Sequence, residues 1–245
     1  MQNYKMILEY EGTRYNGWQR QGNTDNTIQG ILERELGEIS GEAVEINGSG
    51  RTDAGVHAAG QCASFRLETE LNCDFIKNEL NKRLNRDIRI LRVEQAHPRF
   101  HARLNAKAKT YVYRICTADK APVFTRHFTY LYPCKIDIEA VDRAADMLVG
   151  EHDFRAFTSN HRTKKSTVRT VYSIDTEYSD DILTIRFTGN GFLYNMVRII
   201  SGSLLMVGTG EMNTEDIALA LNSQDRKKAG VTLPSSGLML EKVYY

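Results

Sequence analysis

Eight consecutive positions, Gly48-Ser49-Gly50-Arg51-Thr52-Asp53-Ala54-Gly55, bring together three glycines, a guanidinium, two hydroxyls and one carboxylate. Glycines permit a tight loop and let a ligand backbone come close. Asp53 is the only carboxylate in the run. Alone it cannot perform the two-acid hydrolysis of a glycoside, which needs a flanking partner. One carboxylate is also too few for a metal-ion site. It can serve as a nucleophile or a lone acid/base, or it can satisfy a turn through its own backbone. The residues themselves leave these readings open. The run is not a phosphate loop, having neither G-x-x-x-x-G-K-[ST] nor a G-x-G-x-x-G that opens a helix after a strand.

A second cation stands out at Arg198, in the apolar run Asn195-Met196-Val197-Arg198-Ile199-Ile200. A buried guanidinium is costly unless paired, so a carboxylate partner is expected, and Asp53 is one candidate. Tyr111 and Tyr113 share one face of a strand by alternation. They adjoin a basic window, where an aromatic ring can hold an unstacked base or fill a core. His97 and His101 are four apart, and with His57 they could be imagined as metal ligands. Without an E-x-x-H pattern or a neighbouring cysteine pair, no metal is expected. Cys62, Cys73, Cys116 and Cys134 contain no C-x-x-C and read as structural or incidental.

Net charge is only +1, yet the cations are unevenly placed. His97 to Ile115 holds Arg99, Arg103, Lys107, Lys109 and Arg114 with no acid. His161 to Thr170 holds Arg162, Lys164, Lys165 and Arg169, again with no acid. Two basic segments on an otherwise acidic chain are what a localised polyanion site looks like, although two solvated faces would look the same.

The elements that must position these residues alternate between strand and helix. Residues 4–10 read as a strand. Ile28, Ile31, Leu32, Leu36 and Ile39 fall at helical spacing, with Thr27 or Asn26 as the cap. Gly60 to Leu67 reads as a strand, Ile76 to Leu84 as a helix, and Ile88 to Val93 as a second long strand. Thr110 to Thr117 reads as a strand and Ile138 to Val149 as a helix. Val171–Tyr178 and Ile182–Thr188 form a hairpin around Ser179-Asp180-Asp181. An apolar helix is expected from about Phe192 to Val207, and a short one from Thr214 to Leu221 capped by Asn213.

The pattern predicts an α+β fold of two similar halves, 1–105 and 106–245. Each is a mainly antiparallel sheet with helices on one face, around a central cleft. With 41% hydrophobic and 26% charged residues in 245, the chain has the make-up of a folded protein rather than a disordered one. The start alternates as a strand would, so export is not expected, and the apolar run 192–207 is too short and too interrupted to cross a bilayer. A cytoplasmic protein with no membrane association is the expectation.

The loop run, extended through Val56-His57-Ala58 to Gly60-Gln61, closely resembles the signature of the TruA family of tRNA pseudouridine synthases. The likeness continues in Tyr10 to Gln21 (YEGTRYNGWQRQ), Phe100-His101-Ala102-Arg103, the Tyr111/Tyr113 strand and His152-Asp153-Phe154. It ends in Phe192 to Arg198 (FLYNMVR) and the closing segment from Gly237 to Tyr245. The departures are Glu11 where aspartate is usual, Thr110 where a basic residue is common, and Asn85 where proline is frequent. None touches the implied chemistry, though Thr110 weakens one possible phosphate contact.

The resemblance implies isomerisation of uridine to pseudouridine at positions 38, 39 and 40 of the tRNA anticodon arm, with no cofactor. Asp53 would attack the flipped nucleotide at C6 of uracil or C1′ of ribose. Arg51 would enter the RNA helix and stabilise the flipped state, because extrusion costs a few kcal/mol. Tyr111 would stack on the uracil and could assist proton removal from C5, and Arg198 would pair with the catalytic carboxylate. Arg103, Lys107, Lys109, Lys164 and Lys165 are the RNA-binding candidates, and a homodimer gripping tRNA is implied. Two rival classes are an RNA-binding protein of the same fold without catalysis and a metal-dependent phosphoryl enzyme. The intact set of Asp53, Arg51, Tyr111 and Arg198 disfavours the first, and the lack of clustered ligands disfavours the second.

Overall fold

A computed structural model describes residues 1–160 and 163–245. The chain divides into two compact units: Met1–Lys107 with Met239–Tyr245, and Ala108–Leu238.

In the first unit, β1 (Gln2–Tyr10) buries Tyr4, Met6, Leu8 and Tyr10, the alternation that a half-buried strand requires. Helix α1 (Ile28–Ser40) starts where the Thr27 hydroxyl accepts from the Gly30 N–H at 3.2 Å. It stops on Gly41 at φ 75°, a left-handed cap that glycine adopts freely. The short β2 (Ile46–Gly48) and long β3 (His57–Leu67) flank the Asp53 loop. Helix α2 (Cys73–Arg83) is capped by Asn72 and packs on α1 and on β4 (Ile88–Gln95). The strands run β4-β1-β3, with β2 also on β3, all antiparallel. A register shift between Leu8 and Tyr10 bends the end of β1 beside the loop.

The second unit begins with β5 (Ala108–Cys116) and continues through β6 (Tyr130–Leu131), α3 (Ile138–Asp146) and β7 (Gly150–Asp153). Then come β8 (Val168–Ser179), β9 (Ile182–Gly189), α4 (Met196–Gly208) and α5 (Thr214–Ser223). Its strands run β5-β9-β8-β7 in antiparallel order, and β6 lies parallel to β5. The β8–β9 hairpin turns on Asp180 and Asp181, at φ 51° and 58°, the pair of left-handed residues that a tight hairpin demands. Helix α5 carries a full capping box between Asn213 and Asp216. Helix α4 starts at Met196 rather than near Phe192, because Asn195 sits at φ 60° and breaks the helical path before it.

The last strand, β10 (Leu238–Tyr244), pairs parallel with β3 through Met239↔His57 and Leu240↔Ala58. The division of the sequence at 105/106 grouped this segment with the second half, whereas from Met239 onward it folds with the first unit. Gly60 makes that approach feasible: a Cβ there would lie 2.4 Å from the Glu241 carbonyl oxygen. The Tyr245 ring then meets that of Phe100 at a tilt of 58°, centroids 5.1 Å apart, and its hydroxyl donates to the Ala102 carbonyl at 2.8 Å. All four cysteines are free thiols, and Cys62 and Cys116 are buried. Among the described residues no helix is long and apolar enough to cross a membrane.

Candidate active site

The Asp53 loop is held from two sides. On one side lies the segment Gly12–Trp18. The Thr52 carbonyl accepts from Trp18 N–H at 3.0 Å, and Gly55 N–H donates to the Tyr15 carbonyl at 3.3 Å. Val56 N–H closes the turn onto the Asp53 carbonyl at 3.1 Å. Glycine is required where the two chains touch. A Cβ on Gly17, itself at φ 85°, would stand 2.6 Å from the Thr52 oxygen, and one on Gly12 would stand 2.0 Å from the Val56 oxygen. A Cβ on Gly48 would strike the Trp18 ring at 2.5 Å.

The segment is itself anchored at Asp87. That residue accepts from Arg14 at 2.6 Å and from the Tyr15 hydroxyl at 2.5 Å, while its carbonyl accepts from Glu11 N–H. Burial, reinforced by Asp87, pushes the Tyr15 phenol up to about 12, so it remains a donor. The run from Tyr10 to Gln21, known from the sequence only by its likeness to a family, is thus the brace of the loop.

Beneath the loop lies a buried polar group that reasoning from the sequence missed. Gln61 Oε1 accepts from Ser49 Oγ at 2.7 Å, and its Nε2 donates to the Gly50 carbonyl at 3.0 Å. Tyr10 Oη lies 2.8 Å from Thr52 Oγ1 and 3.5 Å from Gln61 Nε2. Burial raises the Tyr10 phenol to about 12. The signal in the sequence is a lone carboxamide, Gln61, in the otherwise apolar stretch Ala58 to Ala63. With Ser49 and Thr52 turned inward and buried, Arg51 is exposed and Asp53 half-buried.

The other named residues lie in the second unit. Tyr111 is 8% exposed, on β5, and meets Phe192 edge-on at 5.3 Å and 84°. Tyr113 is fully buried, donates to the Pro234 carbonyl at 2.7 Å and belongs to the core. Arg198, half-buried on the first turn of α4, donates from Nε to the Leu233 carbonyl at 2.6 Å. Its Nη1 donates to Asn195 Oδ1 at 2.8 Å. Asn195 in turn donates to Ser159 at 2.9 Å, which fixes the start of α4.

His57, His97 and His101 each accept a backbone N–H at Nδ1, from Gly12, Arg99 and Arg103 respectively. Among the described residues no three of His, Cys, Asp or Glu gather where they could hold a metal ion. His152-Asp153-Phe154 forms a corner: Asp153 accepts from Arg155 N–H, from Gln224 and from the Thr167 hydroxyl.

Of the basic candidates, Arg103, Lys107, Lys164 and Lys165 are exposed and Lys109 is half-buried. Arg103 sits on a turn fixed by His101 and Asn105, through His101 N–H to Asn105 Oδ1 at 2.8 Å and Asn105 N–H to the His101 carbonyl at 3.1 Å. Arg162 and His161, counted in the second basic window, lie outside the described residues.

The Asp53 loop is thus braced by Tyr15, Trp18, Tyr10 and Gln61, and it carries one half-buried carboxylate two residues after an exposed guanidinium. The chain belongs to the tRNA pseudouridine synthase family, whose model matches residues 6–105 and 144–245.

It is 44% identical over 245 residues to the tRNA pseudouridine synthase A 2 of Bacillus cereus (strain ZK / E33L), covering 100% of both chains. The tRNA pseudouridine synthase A of Bacillus sp. (strain KSM-64) is also 44% identical over the full length of both chains. That of Caldicellulosiruptor bescii is 42% identical, again over 100% of each chain. Among solved structures, a Cbf5-Nop10-Gar1 complex matches 82% of this chain and 45% of its own at 14% identity, with a TM-score of 0.38.

Proposed function

We propose that the protein isomerises uridine to pseudouridine in the anticodon arm of tRNA, with Asp53 as the nucleophile. The observation that carries this reading is the braced Asp53 loop in a chain that matches named tRNA pseudouridine synthases end to end. Asp53 attacks the target nucleotide at C6 of uracil or C1′ of ribose, the N1–C1′ glycosidic bond breaks, the base turns until C5 bonds to C1′, and the bond to Asp53 then breaks to free its carboxylate. The C5 proton leaves and N1 gains one in place of its broken bond to C1′, so atoms and electrons balance without a cofactor.

Arg51, exposed two residues before Asp53, fills the gap left by the extruded nucleotide. Tyr111 presents its ring to the uracil, steadied edge-on by Phe192. Arg198, oriented by Leu233 and Asn195, takes on the family likeness the role of pairing partner to the catalytic carboxylate. Arg103, Lys107, Lys109, Lys164 and Lys165 contact phosphates.

On the same family likeness the enzyme works in the cytoplasm as a homodimer. Light scattering on the purified protein should give twice the 27.9 kDa chain mass, and a monomer mass overturns that part. The test of the function is to map pseudouridine in bulk tRNA after incubation with the pure protein. New pseudouridines confined to the anticodon arm are expected. None formed, or a spread over other arms, overturns the reading.

A further inference from the structure

The loop from Ser49 to Asp53 alternates between two environments. Ser49 and Thr52 face the interior and are buried, at 0% and 5% exposure, while Arg51 is exposed and Asp53 half-buried. The inward groups meet two side chains that belong to other strands and take no part in the chemistry proposed above. Gln61, on β3, is fully buried. Its amide oxygen takes the Ser49 hydroxyl, and its amide nitrogen binds the Gly50 carbonyl. Tyr10, on β1, holds the Thr52 hydroxyl at 2.8 Å. These bonds reach every residue of the loop before Asp53 except Arg51.

A carboxamide is suited to this position, since one group must both donate to a carbonyl and accept from a hydroxyl. The phenol is suited to its own position because burial keeps it protonated across the physiological range. Neither side chain is needed to fill the core in this particular way. A leucine at 61 or a phenylalanine at 10 would occupy much the same space with no polar atom.

We infer that Gln61 and Tyr10 are positioning residues, which hold the backbone on either side of Arg51 so that Asp53 stands at the attack position before tRNA arrives. The inference rests on the reading of Asp53 as nucleophile. Its physical basis is that covalent attack tolerates little misplacement, whereas tRNA binding through many phosphate contacts tolerates a good deal. Losing the clamp therefore lowers kcat and leaves KM nearly unchanged. A merely structural role would lower thermal stability and leave kcat intact at temperatures where the protein is folded.

The experiment measures kcat, KM for tRNA and Tm for Gln61→Leu, Tyr10→Phe, Thr52→Val and Thr52→Ser, beside Asp53→Asn. Gln61→Leu is expected to lower kcat by about a hundredfold, the scale of a misplacement of about an ångström at a reacting centre. Tyr10→Phe and Thr52→Val are expected to lower it by about tenfold each, the scale of one buried hydrogen bond lost. KM should stay within about twofold for all three, judged against a tenfold binding change per 1.4 kcal/mol. Thr52→Ser, which keeps the hydroxyl, should restore most of the wild-type kcat. If Gln61→Leu does not fold, the Thr52 pair and Tyr10→Phe decide the matter alone. Folded variants with wild-type kcat, or a loss carried wholly by KM, overturn the inference. Asp53→Asn separates the two levels. If it is inactive while the others turn over normally, only the positioning role fails. If it is active, the nucleophile reading fails first.

Discussion

The Asp53 loop and the basic stretch from Thr163 to Ser166 are both polar, short and free of regular structure, but they are built differently. The Asp53 loop draws its bonds from far along the chain: Tyr10 and Trp18 reach Thr52, and Tyr15 reaches Gly55. The bonds described in the basic stretch span three residues or fewer. Thr163 N–H meets the Asn160 carbonyl, Lys165 N–H meets Thr163 Oγ1, and Val168 N–H meets Ser166 Oγ. Lys164 and Lys165 project into solvent. Chemistry at one carbon atom needs a fixed approach, whereas attraction to a phosphate backbone needs charge within reach and little geometry. On the proposed function, the first region sets turnover and the second sets affinity.

The strongest challenge to that contrast is Gly17→Ala. The added methyl group must displace the Thr52 carbonyl from 2.6 Å and accept a left-handed backbone at φ 85°. It should lower kcat by about a hundredfold with tRNA affinity within about twofold, read from single-turnover kinetics and filter binding. A loss confined to affinity would break the comparison.

Tyr111→Leu comes next. Loss of a ring that stacks on the base should cost about tenfold in kcat/KM, and Tyr111→Phe should recover most of it. Equal losses in both variants would point to the hydroxyl rather than the ring.

The paired change Lys164→Gln/Lys165→Gln should weaken binding several-fold and flatten the dependence of log Kd on log salt by roughly one to two, with kcat unchanged. An unaltered slope would make this stretch a solvated face. The smallest effect is expected from EDTA, which should leave turnover as it is. A loss restored by added Mg²⁺ would revive the metal-dependent alternative.

Much of the scaffold was legible because its signals are local. Asn26 or Thr27 before an apolar period marks the start of α1, where Thr27 is the cap, Asn213 marks that of α5, and Ser179-Asp180-Asp181 marks the β8–β9 turn. The Asp53 loop itself was visible as an unusual density of glycine around one carboxylate. What supports the loop was not visible, since it depends on approaches between distant segments. Nothing in the neighbours of Gly17 announces that the Thr52 carbonyl lies against it, and nothing near Gly60 announces that β10 runs beside it. Strand periodicity tells which face is buried and is silent on the partner, which is why nothing in 239–245 announces its pairing with β3. At α4 the apolar run continues back through Phe192 and Leu193 and suggests an earlier start, while the left-handed backbone at Asn195 ends the helix behind it.

The most direct test of the nucleophile assignment follows the hydrogen that leaves C5 of uridine when C5 bonds to C1′. With tRNA labelled with tritium at C5 and enzyme in excess, the wild-type protein should release tritium in a single turnover. Asp53→Asn should bind the same tRNA equally well and release none. Tritium release by that variant above the no-enzyme background would contradict the account.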